Sequence, residues 1–356
     1  MAPNGSPTPK INIYDLTAQD TSSIIARALQ TLKPRLPTSI ALYRRLQFGR
    51  FLPTTRLLTN LVLSDPDAGT DADSRSEWDD AWVLAFVDRS CRPETEAWVY
   101  ASWEDEVELS SESEQTQTQM QDALILALIR AVQNLNPTPK ATEALRKVTS
   151  DNLSNGTDAA GYSRADYAGH MSNANVMLWG AVHERTSQVL RRVSALAEQF
   201  ASVMAKNFSF VWIVDEMAEP KALPEEMRWG ELERRHLGLV RSRTQIPRQE
   251  GTLAVLPNQA IFTSTGEEPI AWAFAGLDGS LTSLHVEEPY RGKGLAKSLT
   301  TKLFRDKMEC FWEDGVVRQA HGYVTVGNVA SQRMCEGLGG KSDWECYWLR
   351  VDLGKI

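Results

Sequence analysis

The residues with the most pointed chemistry lie between 287 and 298. A strand-like apolar run at 281–286 stops at Glu287-Glu288-Pro289, because proline cannot continue a strand ladder. Tyr290 follows, and Arg291-Gly292-Lys293-Gly294-Leu295-Ala296 then opens a helix. Glycine at 292 and 294 lets the backbone turn sharply and approach a ligand closely. The helix start presents unpaired N–H groups and partial positive charge, and Arg291 and Lys293 add full charges. Such a loop can grip a pyrophosphate with backbone amides.

Nucleotide loops fit this stretch poorly. A phosphate-binding loop of the Walker type needs Gly, four residues, then Gly-Lys-Ser/Thr; Lys297-Ser298 is preceded by Ala296, and Arg291 stands at the first glycine position. A dinucleotide fingerprint needs a third glycine at 297, where lysine stands. The spacing His285-x-Glu287 begins like a zinc deaminase signature, but no Pro-Cys-x-x-Cys accompanies it. The pattern that fits is Arg-x-x-Gly-x-Ala, filled by Arg291, Gly294 and Ala296. It resembles the acyl-CoA signature of the GCN5-related N-acetyltransferases.

The flanks carry the same resemblance. Residues 269–275 read as a strand, 277–280 as an Asp-Gly hairpin turn, and 281–286 as the returning strand. A helix is expected over 295–312, with apolar residues at Leu295, Leu299, Leu303, Phe304 and Met308. A short β run at 321–326, a helix at 328–338 ended by Gly339-Gly340, and a last strand at 344–353 complete the order. The segment from Asn328 and Ser331 to Gly337-Leu338-Gly339 resembles the family's fourth helix. The match is nearest to the glycine N-acyltransferase and FR47-like subgroup and covers roughly 208–353.

The resemblance implies a site. Acyl-CoA, acetyl-CoA in the simplest case, would lie between two splayed parallel strands, paired with the backbone of Leu284, His285 and Val286. Its pyrophosphate would rest on Arg291, Gly292, Lys293, Gly294, Leu295, Ala296, Lys297 and Ser298. Asn328 and Ser331 would touch the pantetheine or adenine end, although Asn328 also reads as a plain N-cap. An amine would attack the thioester directly, with no covalent enzyme intermediate. His285 and Glu287 are the nearest titratable candidates for its base. Two readings of His285 stand side by side: a base facing the acceptor, and a satisfied core histidine. Many family members carry a tyrosine acid on the fourth helix. The aligned residue is Cys335, which reads either as a substitute acid or as a small buried residue. Trp229, Trp272, Trp344 and Trp348 read as acceptor-pocket or core residues.

Composition bounds the rest. The 356 residues are long for one core, so two domains are expected, at 1–206 and 207–356. Hydrophobic content of 42% and charged content of 24% are ordinary for a globular protein. A net charge of −8 argues against a general nucleic-acid binder. The basic residues of 234–248 read as a solvated helix face. The cysteines (Cys91, Cys310, Cys335, Cys346) have no metal-ligand or disulfide spacing, so no metal is expected, and a reducing, cytoplasmic location is. No apolar run is long enough to span a membrane, and residues 1–10 show no secretory signal.

Along the first half, helices are expected at 24–32 and 40–48, separated by Pro34 and Pro37. Strands are expected at 81–87 and 97–103. The acidic stretch 65–80 and the acid run 104–114 read as solvated loops, and helices follow at 120–135 and 184–206. In glycine N-acyltransferase-like proteins the amino-terminal half resembles a decayed copy of the acyltransferase fold. The resemblance sets the same expectation for residues 1–206, which have no Gly-rich loop of the required kind.

The resulting expectation is an α/β (α+β) protein. Its second domain has the acetyltransferase fold: a mixed, mostly antiparallel sheet with flanking helices. Its activity is acyl transfer from acyl-CoA to a small amine or amino acid. The alternatives are a catalytically silent acyl-CoA-binding or interaction module, and a protein amino-group acetyltransferase.

Overall fold

Short apolar runs punctuated by glycine and proline give twelve strands, and amphipathic stretches between them give nine α-helices, among residues 9–19, 21–64, 81–105, 111–135, 164–198, 206–244, 246 and 248–356, which the computed structural model describes. In chain order they are β1 (Asn12–Asp15), α1 (Thr21–Leu32), α2 (Ile40–Gln47), β2 (Arg56–Thr59), β3 (Val83–Val87), β4 (Ala97–Ala101), α3 (Ser111–Gln133), α4 (Arg164–Ser172), β5 (Val176–His183) and α5 (Glu184–Arg192). There follow β6 (Lys206–Ile213), β7 (Met227–Gly230), α6 (Leu237–Ser242), α7 (Glu250–Leu253), β8 (Asn258–Thr263), β9 (Pro269–Ala275), β10 (Ser280–Val286), α8 (Leu295–Asp306), β11 (Gln319–Thr325), α9 (Val329–Glu336) and β12 (Lys341–Asp352).

These elements form two compact units. The first comprises the described residues of Met1–Leu145, Gly169–Met204 and Cys346–Ile356, and the second those of Arg146–Ala168 and Ala205–Glu345.

In the first unit β1, β2, β3 and β4 pair antiparallel in sequence. β4 then meets β5 in parallel over two positions, Ala97↔Trp179 and Trp98↔Gly180. β5 pairs antiparallel with β12. Alternation along β3 and β4 divides their side chains between two cores. Val83, Ala85, Val87, Val99 and Ala101 join Leu124, Ile125 and Leu128 of α3. Leu84, Phe86, Trp98 and Tyr100 face the other way, among Ala28, Leu32, Leu42 and Leu46 of α1 and α2. Strands packed on both faces are apolar at every position, as β3 and β4 are.

The second unit repeats that pairing order. β7, β8, β9 and β10 run antiparallel, and β10 meets β11 in parallel over two positions, Ser280↔His321 and Leu281↔Gly322. β11 pairs antiparallel with β6. Leu295, Leu299, Leu303 and Phe304 bury one stripe of α8 against β8, β9 and β10. The α/β fold with a mostly antiparallel sheet is therefore present twice.

Several elements depart from the sequence reading. The helix expected at 184–206 ends at Arg192. Ser194 has φ of 56°, and the chain then turns extended, with Leu196 bridging to Val351; residues 199–205 lie outside the described ones. The helix expected at 295–312 stops at Asp306, and a 3-10 turn at Glu309–Phe311 follows. The acid run 104–114 is no solvated loop where it is described. Glu104 is 6% exposed and accepts from Thr186 Oγ1 at 2.5 Å, and α3 begins at Ser111, nine residues ahead of expectation. The acidic stretch 65–80 lies outside the described residues. β1, β2, β5, β7 and β8 are additions.

Candidate active site

The site begins where β10 and β11 part. Their parallel pairing ends at Leu281↔Gly322, and among the described residues no strand pairs with β10 on that side further along. The burial of β10 records the opening. β9 is buried at all its positions, whereas β10 is half-buried from Leu281 to Val286. A strand edge without a ladder partner is a template for an extended ligand.

A bulge aims the side chains of this edge. Thr282 pairs with Phe274 and His285 with Trp272, so three steps on β10 match two on β9. Ser283, at φ of 51°, takes up the extra residue. Cross-strand partners share a sheet face, so Thr282 and His285 point the same way. Without the bulge they would point oppositely. His285 stacks on Trp272, with ring centroids 4.6 Å apart and planes 24° apart. Its Nε2 is buried without a hydrogen bond and lies 3.6 Å from Glu287 Oε2. The other oxygen of Glu287 accepts from Arg243 Nε at 2.9 Å. Arg248 donates to Thr282 Oγ1 at 2.9 Å.

Charge follows this layout. Burial lowers the pKa of His285 against the opposing pull of Glu287, with Arg291 and Arg243 adding to the lowering. The ring is mostly neutral at neutral pH and free to take a proton. For Glu287 burial works upward, but the bond and charge of Arg243, with His285, hold it below the usual carboxylate range.

The loop then turns into α8. A 3-10 turn at Glu288–Tyr290 closes with Tyr290 N–H on Glu287 O at 2.9 Å. Gly292 and Gly294 have φ of 77° and 80°, the left-handed region that costs other residues about 1 kcal/mol or more. Gly294 is the N-cap of α8, with no side-chain cap, so the first amides of the helix lack intrahelical partners. Arg291 Nε donates to Val286 O at 2.9 Å, and Lys293 Nζ lies over the Tyr290 ring at 5.5 Å. Leu295 and Ser298 are buried; Ala296 is half-buried. Lys297 Nζ donates to Gly337 O at 3.1 Å, at the end of α9.

The remaining expected residues lie on α9. Asn328 is its N-cap, accepting from Ser331 N–H at 3.2 Å. Cys335 is 2% exposed, and burial, with Glu336 beside it, pushes its thiol up to about 12. Leu284, His285, Val286, Glu287 and residues 291–298 thus follow one another along β10, the turn and the start of α8. Asn328, Ser331 and Cys335 sit on the helix that follows β11. Arg243 and Trp272 complete the surroundings of His285. Arg243 was legible only as one of several bases in 234–248. Among the described residues no cluster of potential ligands could hold a metal, and no helix is long and apolar enough to cross a membrane.

The model of the acyl-CoA N-acyltransferase verG N-terminal domain matches residues 10–210, more than half of the chain. The chain belongs to this acyl-CoA N-acyltransferase family. An FR47-like protein model matches residues 260–349, the stretch that holds β10, the loop and α9. Together the two place it in the GCN5-related superfamily, whose co-substrate is acyl-CoA. No curated protein matches it. Among solved structures, the chain is similar to a Drosophila protein at 13% identity and a TM-score of 0.53, over 92% of this chain and 96% of that one. It is also similar to a GCN5-related N-acetyltransferase from Sphaerobacter thermophilus (12% identity, TM-score 0.45, 96% of each chain). A tandem acetyltransferase of the clavulanic acid biosynthesis pathway matches at 11% identity and a TM-score of 0.46, over 97% of this chain and 99% of that one. The Drosophila likeness shows a fold shared with that protein along nearly the whole chain.

Proposed function

We propose that this protein transfers an acyl group, acetyl in the simplest case, from acyl-CoA to a small amine or amino acid by direct attack in a ternary complex. The observation that carries the reading is the unpaired edge of β10 with the glycine loop directly at its end. Pantetheine amides would complete the β10 ladder near Leu284 and His285. The Val286 carbonyl already accepts from Arg291, which ties that side chain to the mouth of the groove. The amides of residues 292–296 would take the pyrophosphate, with Lys293 adding charge.

A backbone N–H of β10 would polarise the thioester carbonyl. The amine attacks, its proton passes to His285, and the new C–N bond forms as the C–S bond breaks. The thiolate leaves and takes up, through water, the proton that His285 received from the amine. Cys335 is left outside this step. A thiol raised to about 12 would hand its proton uphill to an ordinary thiolate, whose pKa is about 8.5.

We assign the donor to the second unit. In the first, the region where β4 and β5 part is bridged by protein. Thr186 bonds Glu104, and Arg185 Nη1 donates to Trp103 O at 3.1 Å. Trp103 is buried there. This supports reading the first unit as a copy that has lost its donor groove. The Cys335 thiol also favours a second reading, an acyl-CoA-binding protein without turnover.

Calorimetric titration with acetyl-CoA, with ATP and NAD as controls, tests the donor. Thiol release with a panel of amines then separates the two readings. Selective acetyl-CoA binding with amine-dependent thiol release is expected. A folded protein that binds no acyl-CoA would remove both readings.

A further inference from the structure

We infer that Arg243 and Glu287 are positioning residues that fix the ring of His285, so that Nδ1 is the nitrogen offered to the acceptor amine. The inference rests on the acyl-transfer reading of the same site and adds the device that sets the base.

The geometry is a chain of contacts drawn from separate elements. Arg243 follows α6, His285 lies in β10, and Glu287 is the first residue of the turn after it. Arg243 Nε holds one carboxylate oxygen at 2.9 Å. The second oxygen then faces His285 Nε2 at 3.6 Å. Trp272, only 1% exposed, lies against the ring face at 4.6 Å and blocks it from tilting. A neutral imidazole beside a carboxylate keeps its hydrogen on the nitrogen that faces the carboxylate. Nε2 therefore carries the hydrogen and Nδ1 the lone pair.

The same chain tells Glu287 from His285 in function. A carboxylate committed to a guanidinium and held below its usual range is a weak proton acceptor, whereas a neutral imidazole, even with its pKa lowered by burial, is the stronger base of the two. When Nδ1 takes the amine proton, the ring becomes cationic, and its Nε2–H already faces the Glu287 carboxylate. The charge is stabilised where it forms, with little rearrangement. The charged groups that act on the ring are Glu287 and Arg291 from its own segment and Arg243 from the α6 end.

Imidazole ¹⁵N NMR of the full chain tests this without turnover. The chain has five histidines, and the His285 signals are assigned by their loss in His285→Gln. Wild-type protein is expected to show the Nε2–H tautomer at His285. Glu287→Gln should lower its titration midpoint, because the raising partner is gone. Arg243→Gln should raise the midpoint, because a nearby cation is gone, and should mix the tautomers. Arg243→Lys should restore the wild-type pattern in part. In turnover assays the acid limb of kcat should move in the same directions. Arg243→Gln should lower kcat at neutral pH by roughly tenfold, with the KM for acetyl-CoA held within about twofold.

An Nδ1–H tautomer in the wild type would overturn the inference. So would an unchanged tautomer and midpoint in Arg243→Gln. Acetyl-CoA titration of the same samples is read separately. Its failure would sink the donor reading, whereas normal binding with an unmoved His285 would sink only the positioning chain.

Discussion

Lys297 Nζ donates to the carbonyl of Gly337 across 3.1 Å, joining the first turn of α8 to the end of α9. A cation on the last carbonyls of a helix is favourable by about 0.3–1 kcal/mol. The ammonium is thereby committed to protein, although its place in the sequence suggests a phosphate partner. Lys297→Met is expected to lower unfolding stability by up to about 1 kcal/mol. It should leave the salt dependence of acetyl-CoA binding unchanged. A flattened salt slope in Lys297→Met would instead make Lys297 a phosphate ligand.

Arg291 and Gly294 act on the loop by different means. Arg291→Ala removes a charge at the groove mouth and the bond to Val286 O. It should weaken acetyl-CoA binding by about tenfold, the scale of one charge-assisted hydrogen bond. Gly294 needs its φ of 80°, yet a Cβ there would meet nothing within 4 Å. Gly294→Ala should therefore cost about 1 kcal/mol through backbone strain alone. Calorimetry and urea unfolding separate the two effects. Unimpaired acetyl-CoA binding in Arg291→Ala would remove that side chain from the donor site.

The loop and its flanks were legible because their signals are local. Pro289 stops a strand and two glycines open a helix, whatever lies elsewhere. The strand at 269–275 was read with its observed ends, since Pro269 and Gly276 punctuate it. Short strands such as Arg56–Thr59 and Met227–Gly230 carry four residues each, too few for a period to declare itself. The partnership of Arg243 with Glu287 spans 44 positions and exists only once the end of α6 meets the turn after β10. Glu104 shows the same limit from the other side. Among so many acids it reads as solvated, and only the bonds from the Thr186 hydroxyl and the Ala101 backbone account for its burial.

Cys335 offers a test of packing against chemistry. Its backbone carbonyl accepts from Trp212 Nε1 at 3.2 Å, and its side chain is 2% exposed. Cys335→Ala should destabilise by about 1 kcal/mol through lost packing. Turnover and its pH profile should be unchanged. A lowered kcat with intact acetyl-CoA affinity would restore the thiol as the acid for the leaving group.

Two of the buried titratable groups of the first unit, Glu104 and His183, have opposite pH slopes. Burial pushes Glu104 up to about 8 from 4.5, against the lowering bonds from Thr186 and the backbone. The folded state then binds the proton more tightly than the unfolded chain. Its contribution is full below 4.5 and is lost as pH rises through 8, a change on the order of a few kcal/mol. Burial takes His183 down to about 4 from 6.5, helped by Arg185. For that group the unfolded chain binds the proton more tightly, so stability is lost as pH falls from 6.5 toward 4. Urea midpoints should thus fall on either side of an optimum in the mildly acidic range. Glu104→Gln should flatten the alkaline side and leave the acid side in place. An alkaline limb of undiminished slope in Glu104→Gln would show that this carboxyl does not carry the proton in the folded protein.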